Sequence, residues 1–171
     1  MNLRELYHQL KGTLTPEKSH EAETVLMHAL EKIEGKTVTR SQLFMSFDQS
    51  VDEQTIDYSL EIAQKRKQGH PLQYLTQRQF FFRHDYLVRT GVLIPRPETE
   101  ILIATAIEKL SEKAEKPAVG IEIGLGSGIL SIELLDQFRD LKIYASEVSD
   151  LAIEIAEHRG GGGLSGRALA T

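Results

Sequence analysis

The first seventy residues carry apolar side chains at helical spacing. The clearest segment begins at Thr15, a possible cap, continues through Pro16 and ends at Gly35, which suits a left-handed stop. Shorter helices are predicted over residues 3–10 and 41–47. Apolar residues of the clearest segment are spaced alternately three and one positions apart, which places them on one stripe of a helix. These residues are Ala22, Val25, Leu26, Ala29, Leu30 and Ile33.

A longer helix is predicted over residues 52–68, closed by Gly69, with Ile56, Leu60 and Ala63 on its buried stripe. Short helices are only marginally stable alone, so these segments are expected to pack on one another. We therefore predict an α-helical bundle as the N-terminal domain, over residues 1–73.

Aromatic and β-branched residues replace the helical pattern after this domain. The segments RQFFF and YLV flank the turn-like RHD, which predicts a β-hairpin, and we assign residues 74–94 to a β-hairpin linker. A helix is predicted over about residues 98–114, before a break at Lys116 and Pro117. Its predicted buried residues are Ile101, Leu102, Ala104, Ile107 and Leu110.

The order of elements then becomes strand, loop, helix, strand, helix. AVGIEI and KIYAS are short apolar strands, and a helix follows each of them, the second one capped by Ser149. Such a βαβα unit implies parallel strands joined by a right-handed crossover. We assign residues 95–159 to the start of an α/β Rossmann-like domain and residues 160–171 to a flexible glycine-rich tail with no further strand.

Composition and charge exclude several classes of function. The formal net charge of −5 gives no general attraction to nucleic acid or anionic lipid, and the absence of cysteine excludes disulfides, thiolate metal sites and cysteine nucleophiles. The six histidines lack ligand spacing, so no metal site is expected. No run resembles a signal peptide or a membrane span. We expect a cytoplasmic protein that does not engage membranes, and any nucleic-acid role would need a local basic patch.

The stretch IEIGLGSGIL places three glycines at alternate positions between a strand and a helix. In open α/β sheets this loop binds ligands, because glycine lets a ligand approach the backbone and the helix amino end attracts anions. Gly124, Gly126 and Gly128 form GxGxG, whereas a dinucleotide fingerprint has its third glycine where Ile129 stands. Glu147, just past the second strand, can accept hydrogen bonds from ribose hydroxyls. Together these features favour a nucleoside-containing cofactor.

Three stretches resemble one family. GHPLQYLTQRQFFFRHDYLVRTGVLIPRPETE resembles, almost position by position, the linker and loop of the protein-(glutamine-N5) methyltransferases that modify peptide chain release factors. EAETVLMHAL resembles their amino-terminal signature, and IEIGLGSGILSIELL with ASEVSDLAIEIA resembles their first two cofactor motifs. The resemblance covers residues 1–159 and implies a class I S-adenosylmethionine-dependent methyltransferase, truncated after the second cofactor motif.

The resemblance also implies residue roles and partners. Glu147 is expected on the ribose, Glu122 near the ammonium of the ligand, and the helical domain is expected to dock the release factor. The residues expected to wrap the methionine part of S-adenosylmethionine are Gly124, Leu125, Gly126, Ser127 and Gly128. The residues expected to form a loop closing over the cofactor are Arg96, Pro97, Glu98 and Thr99.

Three positions depart from the family pattern, and the loop has a second interpretation. Glu147 stands where Asp is common, Leu125 where Thr is usual, and Arg159 where Asn is usual. The string IPRPETE also reads as a helix entry, with Pro97 in the first turn and Glu98 near the positive end of the helix dipole. Both interpretations can hold together.

The family's Asn-Pro-Pro-Tyr motif, which positions the glutamine amide, is absent from the sequence. The only asparagine is Asn2, and none of the five prolines is adjacent to another, so no catalytic residue is assigned. The resemblance implies a sheet of about seven strands, of which two are predicted here. We favour three interpretations of the tail, which are a truncated chain, a frameshifted reading, or a short appended sequence.

Three hypotheses about function follow. The first is N5-methylation of a glutamine in peptide chain release factors, with this chain lacking the catalytic half. The second is a non-catalytic module, in which a helical partner-binding domain carries a partial cofactor pocket. The third keeps methyl transfer but has a ribosomal-protein glutamine or a nucleic-acid amine as the acceptor.

Overall fold

The computed structural model describes residues 1–112 and 119–157 and the backbone of Ala168–Ala170. The chain divides into two compact units, Met1–Thr76 and Gln77–Thr171. The first unit therefore ends at Thr76 rather than at residue 73, and the hairpin belongs to the second unit. No helix among the residues described combines the length and the apolar character needed to cross a bilayer.

The first unit is a bundle of helices around one apolar core. Capping boxes, formed by Asn2 with Glu5 and by Thr39 with Gln42, begin its first and third α-helices. The core includes Leu6, Leu10, Val25, Leu26 and Leu43, none of which is exposed to solvent. Its elements are α1 Leu3–Thr13, a 3₁₀ helix Pro16–Glu21, α2 Ala22–Glu34, α3 Arg40–Met45, α4 Glu53–Lys67 and α5 Leu72–Thr76.

The single helix predicted from Thr15 to Gly35 is divided in the structure. Gly35 ends α2 with φ of 66° as predicted, but the Thr15 side chain makes no capping hydrogen bond, so that prediction is wrong. The 3₁₀ segment buries no residue that would hold it in α geometry, and Ser19 Oγ donates to the Pro16 carbonyl at 2.9 Å. An ion pair between Arg66 and the Glu21 carboxylate fastens the segment to α4.

The buried face of α4 also differs from the prediction. Thr55, Ser59, Ile62 and Ala63 are buried, whereas Ile56 and Leu60 are only half-buried. Thr55 Oγ1 donates to Glu34 at 3.0 Å, and Ser59 Oγ donates to the Thr55 carbonyl at 2.7 Å. Because both hydroxyls are satisfied locally, these small side chains can face the core.

The second unit combines a hairpin with a parallel sheet. The prediction of parallel strands is confirmed for β3 and β4, whose register pairs Ile121 with Tyr144. The strand order is β3-β4-β5, so a third parallel strand is present where none was predicted, while most of the predicted tail lies outside the described residues. The elements are β1 Arg78–Phe81, β2 His84–Leu87, α6 Pro97–Ser111, β3 Val119–Ile123, α7 Ile129–Gln137, β4 Lys142–Ser146, α8 Asp150–Glu157 and β5 Ala168–Ala170.

Two details of the second unit correct the sequence interpretation. The hairpin turns at Phe82 and Arg83 rather than at RHD, because Phe81 pairs directly with His84. In α6 only Ile103 is fully buried, whereas Ile101 and Leu102 are 69% and 54% exposed. The contact face of α6 is centred on Ile103, which packs against the hairpin and α7. The predicted end of this helix, at Ala114 and the Lys116–Pro117 break, lies outside the described residues.

The hairpin is fastened to α7 by polar and apolar contacts. Tyr86 Oη donates to Glu133 Oε1 at 2.7 Å, and Glu133 is only 2% exposed. His84 Nε2 lies 2.9 Å from Asp136 Oδ2, one turn further along the same helix. Residues of the hairpin, α6 and α7 share one core, formed by Phe81, Tyr86, Ile103, Ile129 and Ile132.

Tyr86→Phe should lower the free energy of unfolding of the second unit by about 1–3 kcal/mol, because it removes the donor to a buried carboxylate. Tyr144→Phe is the matched control, since Tyr144 is 49% exposed, and its effect should stay within about 0.5 kcal/mol. Urea unfolding followed by fluorescence and circular dichroism measures both. Equal losses in the two variants would contradict the proposed anchoring role of the Tyr86 hydroxyl.

Candidate functional site

The loop from residue 124 to 128 joins the carboxyl end of β3 to α7 through left-handed backbone conformations. The φ angles of Gly124, Gly126 and Gly128 are 79°, 57° and 76°. A Cβ added to Gly124 or Gly126 would meet no atom within 4 Å. Glycine is therefore needed here for its backbone conformation, and the space beside the loop is open.

The loop is bonded to the end of the neighbouring strand. The amides of Gly124 and Leu125 both donate to the carbonyl of Ser146, at 2.8 and 3.2 Å. The Leu125 side chain is 4% exposed and packs with Ala145 and Ala156. Leu125 therefore contributes an apolar anchor, which a hydroxyl-bearing residue at this position would not supply.

Glu147 contacts this loop directly. Its Oε2 accepts from the Gly126 amide at 2.8 Å, and its Oε1 accepts from the amides of Val148 and Ser149 at 2.8 and 3.1 Å. These hydrogen bonds lower the pKa of the Glu147 carboxyl, and the bond from Gly126 has the largest effect. Ser149 in turn accepts from the Ala152 amide at 3.3 Å, which confirms its predicted role as the cap of α8.

Glu122 lies on β3 and reaches the first turn of α7. Its carboxylate accepts a hydrogen bond from Ser131 Oγ, and Ser131 is fully buried. Burial of Glu122 raises the pKa of its carboxyl, against the opposing effect of the bonds from Ser131. The positive end of the α7 dipole nearby offsets only part of the cost of burying this charge.

A cavity of about 400 Å³ opens beside the loop. A cavity of this size is in the range that small-molecule sites occupy. Its walls bring the glycine loop together with the segment before α6 and the first turns of that helix. The lining residues are Leu93, Pro95, Thr99, Leu102, Ile121, Glu122, Ile123, Gly124, Leu125, Gly126, Ser127, Ile129 and Leu130.

The structure brings some of the predicted site residues to this cavity and leaves others outside its walls. Of the loop expected to close over a cofactor, only Thr99 lines the cavity. Arg96, Pro97 and Glu98 are exposed and form the entry to α6, with Pro97 in its first turn. The helix-entry interpretation of IPRPETE is thus confirmed.

Several apolar cavity residues were missed by the sequence interpretation. Leu102 was assigned to the buried stripe of α6 and lies at the cavity instead. Leu93 and Pro95 are the first and third residues of the LIPRPETE string and carried no signal of their own beyond that resemblance. No group of three or more potential metal ligands occurs among residues 1–112 and 119–157.

Comparisons with known proteins find relatives for most of the chain. Residues 2–76 match the PrmC N-terminal domain family. The chain is 46% identical over 91 residues to the release factor glutamine methyltransferase of Dictyoglomus turgidum, which is 53% of this chain and 32% of that protein. It is 36% identical over 150 residues to that of Koribacter versatilis, 86% of this chain and 50% of that protein. The chain thus spans about half or less of the length of these relatives.

Gly126→Ala should destabilise the second unit by about 1–2 kcal/mol, because alanine is strained at φ of 57°. Gly12→Ala is the matched control: Gly12 lies inside α1, where alanine should stabilise by up to about 1 kcal/mol. Denaturant unfolding measures both. A neutral effect of Gly126→Ala would show that the loop readily adopts another conformation.

Glu122→Gln should increase stability at neutral pH and leave it unchanged at low pH. Because folding raises the pKa of Glu122, this group's contribution to the free energy of unfolding is complete below its ordinary pKa of 4.5. The contribution is lost as the pH rises through the raised pKa. Glutamine stays neutral and keeps an oxygen for Ser131. Unfolding from pH 3 to 8 checks this, with the exposed Glu157→Gln as control for loss of one negative charge. A pH-independent difference would contradict the assigned effect of burial.

Proposed function

Because the chain belongs to the release factor glutamine methyltransferase family, we propose that it binds S-adenosylmethionine and takes part in N5-methylation of a glutamine in peptide chain release factors. The observation that carries the proposal is the shared cavity of the glycine loop and the α6 entry, beside Glu147. When bound, S-adenosylmethionine supplies an electrophilic methyl group. Its acceptor, an amide nitrogen, is weakly nucleophilic, so acceleration depends on positioning and preorganised dipoles.

The loop residues fit the methionine part of this cofactor. Gly124 and Gly126 border open space, and the first-turn amides of α7, including those of Ile129 and Leu130, point toward the helix amino end, where a carboxylate is stabilised. Glu122 lines the same cavity and would stabilise an ammonium group. Ser127, which also lines the cavity, would contribute a hydroxyl. Gly128 would provide the turn into α7.

Glu147 would hold the ribose. A carboxylate has roughly four acceptor positions, and three hydrogen bonds to Glu147 come from Gly126, Val148 and Ser149. Glu147 can therefore accept a hydrogen bond from one ribose hydroxyl while it keeps all three of its backbone hydrogen bonds. A bond from a second hydroxyl would require the loss of one of those three. Glutamate reaches back to Gly126 with one methylene more than the aspartate common in the family.

On the acceptor side, the first unit would dock the release factor. It carries an exposed surface in which Phe44 and Met45 are 39% and 78% exposed and the Arg40 guanidinium lies 5.8 Å from the centre of the Phe44 ring. This surface also supports the second candidate function, a non-catalytic partner-binding module. The Asn-Pro-Pro-Tyr motif is absent from the sequence, so the groups that orient the glutamine would have to come from elsewhere.

Isothermal titration of the 171-residue chain with S-adenosylmethionine tests the donor site. We expect binding weaker than micromolar, which corresponds to less than about 8 kcal/mol. Glu147→Gln should weaken it at least tenfold, because the amide cannot hold both the loop and the ribose as the carboxylate does. Glu157→Gln, an exposed acid at the end of α8, should leave the affinity unchanged. No binding at millimolar cofactor, or equal affinity of both variants, would contradict the proposal.

A methyl-transfer assay with the same chain separates the candidate functions. We expect no transfer by the chain alone to a release factor, a ribosomal protein or nucleic acid. Transfer to a release factor would refute the non-catalytic module, and transfer to another acceptor would support the third hypothesis. Cofactor binding without transfer is the outcome that the proposed partial role requires.

A further inference from the structure

The side chain of Glu122 points to the face of the sheet that the helices cover. Successive residues of a strand point to opposite faces, and the neighbouring Ile121 and Ile123 are exposed on the other one. A carboxylate on the covered face is costly, because it exchanges water for mostly apolar neighbours. Glu122 therefore needs a partner within the protein that compensates for the lost hydration.

Glu122 also lies in the wall between two cavities. It lines the cavity proposed for the cofactor, here called the cofactor cavity, and a second cavity of about 300 Å³ between α6, α7 and the sheet. Among the described residues that line the two cavities, Lys109 is the only other one with an ionisable side chain. Its Nζ pairs with Glu112 Oε2 at 2.9 Å. The polar side chain left to compensate Glu122 from the second cavity is that of Ser131.

Ser131 lies in the first turn of α7 and is fully buried. Its Oγ donates to Glu122 Oε2, and its backbone amide donates to the same carboxylate. A carboxylate has roughly four acceptor positions, so positions remain for an ammonium group after both bonds form. Ser131 thus fixes the carboxylate to the helix without occupying it fully.

Loss of the Ser131 hydroxyl would leave part of the Glu122 carboxylate facing apolar walls. Burial raises the pKa of the Glu122 carboxyl and the bonds from Ser131 lower it, so removal of the hydroxyl should raise this pKa further. A larger fraction of Glu122 would then be neutral at a given pH. A neutral carboxyl does not attract an ammonium group, so a ligand that carries one would bind less tightly.

We propose that Ser131 is a positioning residue, whose hydroxyl holds the Glu122 carboxylate in place to receive the ammonium group of S-adenosylmethionine. Ser131 lines the second cavity and is not among the residues that line the cofactor cavity, so it acts through Glu122 rather than by contact with the ligand. This inference rests on the proposed function, since it requires the cofactor's ammonium group to bind at Glu122.

Isothermal titration with S-adenosylmethionine from pH 5.5 to 7.5 tests the role of Ser131. Affinity should fall as the pH drops through the pKa of Glu122, and in Ser131→Ala this fall should begin at a higher pH. We expect Ser131→Ala to weaken binding at least about tenfold at pH 6, the weight of a hydrogen bond to a charged group, and less at pH 7.5. Ser111→Ala removes an exposed hydroxyl that donates to the Ile107 carbonyl, and it should leave the affinity unchanged.

A pair of variants of equal shape isolates the hydroxyl. Ser131→Thr keeps it and should bind like the unsubstituted chain, since the second cavity beside Ser131 has room for one methyl group. Ser131→Val has the shape of threonine without the hydroxyl and should bind like Ser131→Ala. In the Glu122→Gln background, Ser131→Ala should not shift the pH profile, because glutamine does not titrate. Circular dichroism checks that each variant is folded.

The outcomes separate this inference from the proposed function. Equal affinities of Ser131→Thr and Ser131→Val, or a loss in Ser131→Ala of the same size at every pH, would overturn the role of Ser131 and leave the proposed function in place. Absence of cofactor binding to the unsubstituted chain would contradict the proposed function, and this inference with it.

Discussion

The chain must turn from β3 into α7 within residues 124–128, and the second unit depends on this turn. Three glycines in left-handed conformations make it possible, and the amides of Gly124 and Leu125 tie it to the carbonyl of Ser146 at the end of β4. The turn places the amino end of α7 at the mouth of the cavity. The same helix then carries the hairpin and α6 on its sides, so an error in the turn would misplace both.

Two carboxylates accept hydrogen bonds from polar groups around this turn. Glu122 satisfies Ser131 at the start of α7, and Glu147 satisfies Gly126. Their environments shift the two carboxyl pKa values in opposite directions, upward for the half-buried Glu122 and downward for Glu147, which accepts backbone hydrogen bonds. The loop is thus held in shape by the protein's own acids. An incoming ligand at Glu147 meets a prearranged but largely occupied acceptor.

The sequence predicted the architecture well where local chemistry determines it. Gly35 ends α2, Ser149 caps α8, and the βαβα order produced parallel strands, because each of these follows from backbone conformation or chain order alone. It failed where packing decides. The apolar pattern of α6 allowed more than one buried stripe, and only the contact with α7 and the hairpin selects Ile103.

The candidate site shows the same division. The glycine loop and its acids were identified from spacing and resemblance, since their roles depend on residue type. The apolar walls contributed by Leu93 and Leu102 could not be identified, because ordinary leucines carry no positional signal until the fold brings them together. The partners of Glu147 were missed for a similar reason: a carboxylate in sequence does not reveal which backbone amide it will reach.

The Tyr86–Glu133 hydrogen bond has a consequence for dynamics. It attaches the hairpin to α7, and α7 begins at Ile129, directly after the glycine loop, so the hairpin and the loop are joined to one helix. Regions that share a support open together as a cooperative unit rather than one residue at a time. We therefore expect the glycine loop and the hairpin to open together, at the rate at which the hairpin's contact with α7 breaks.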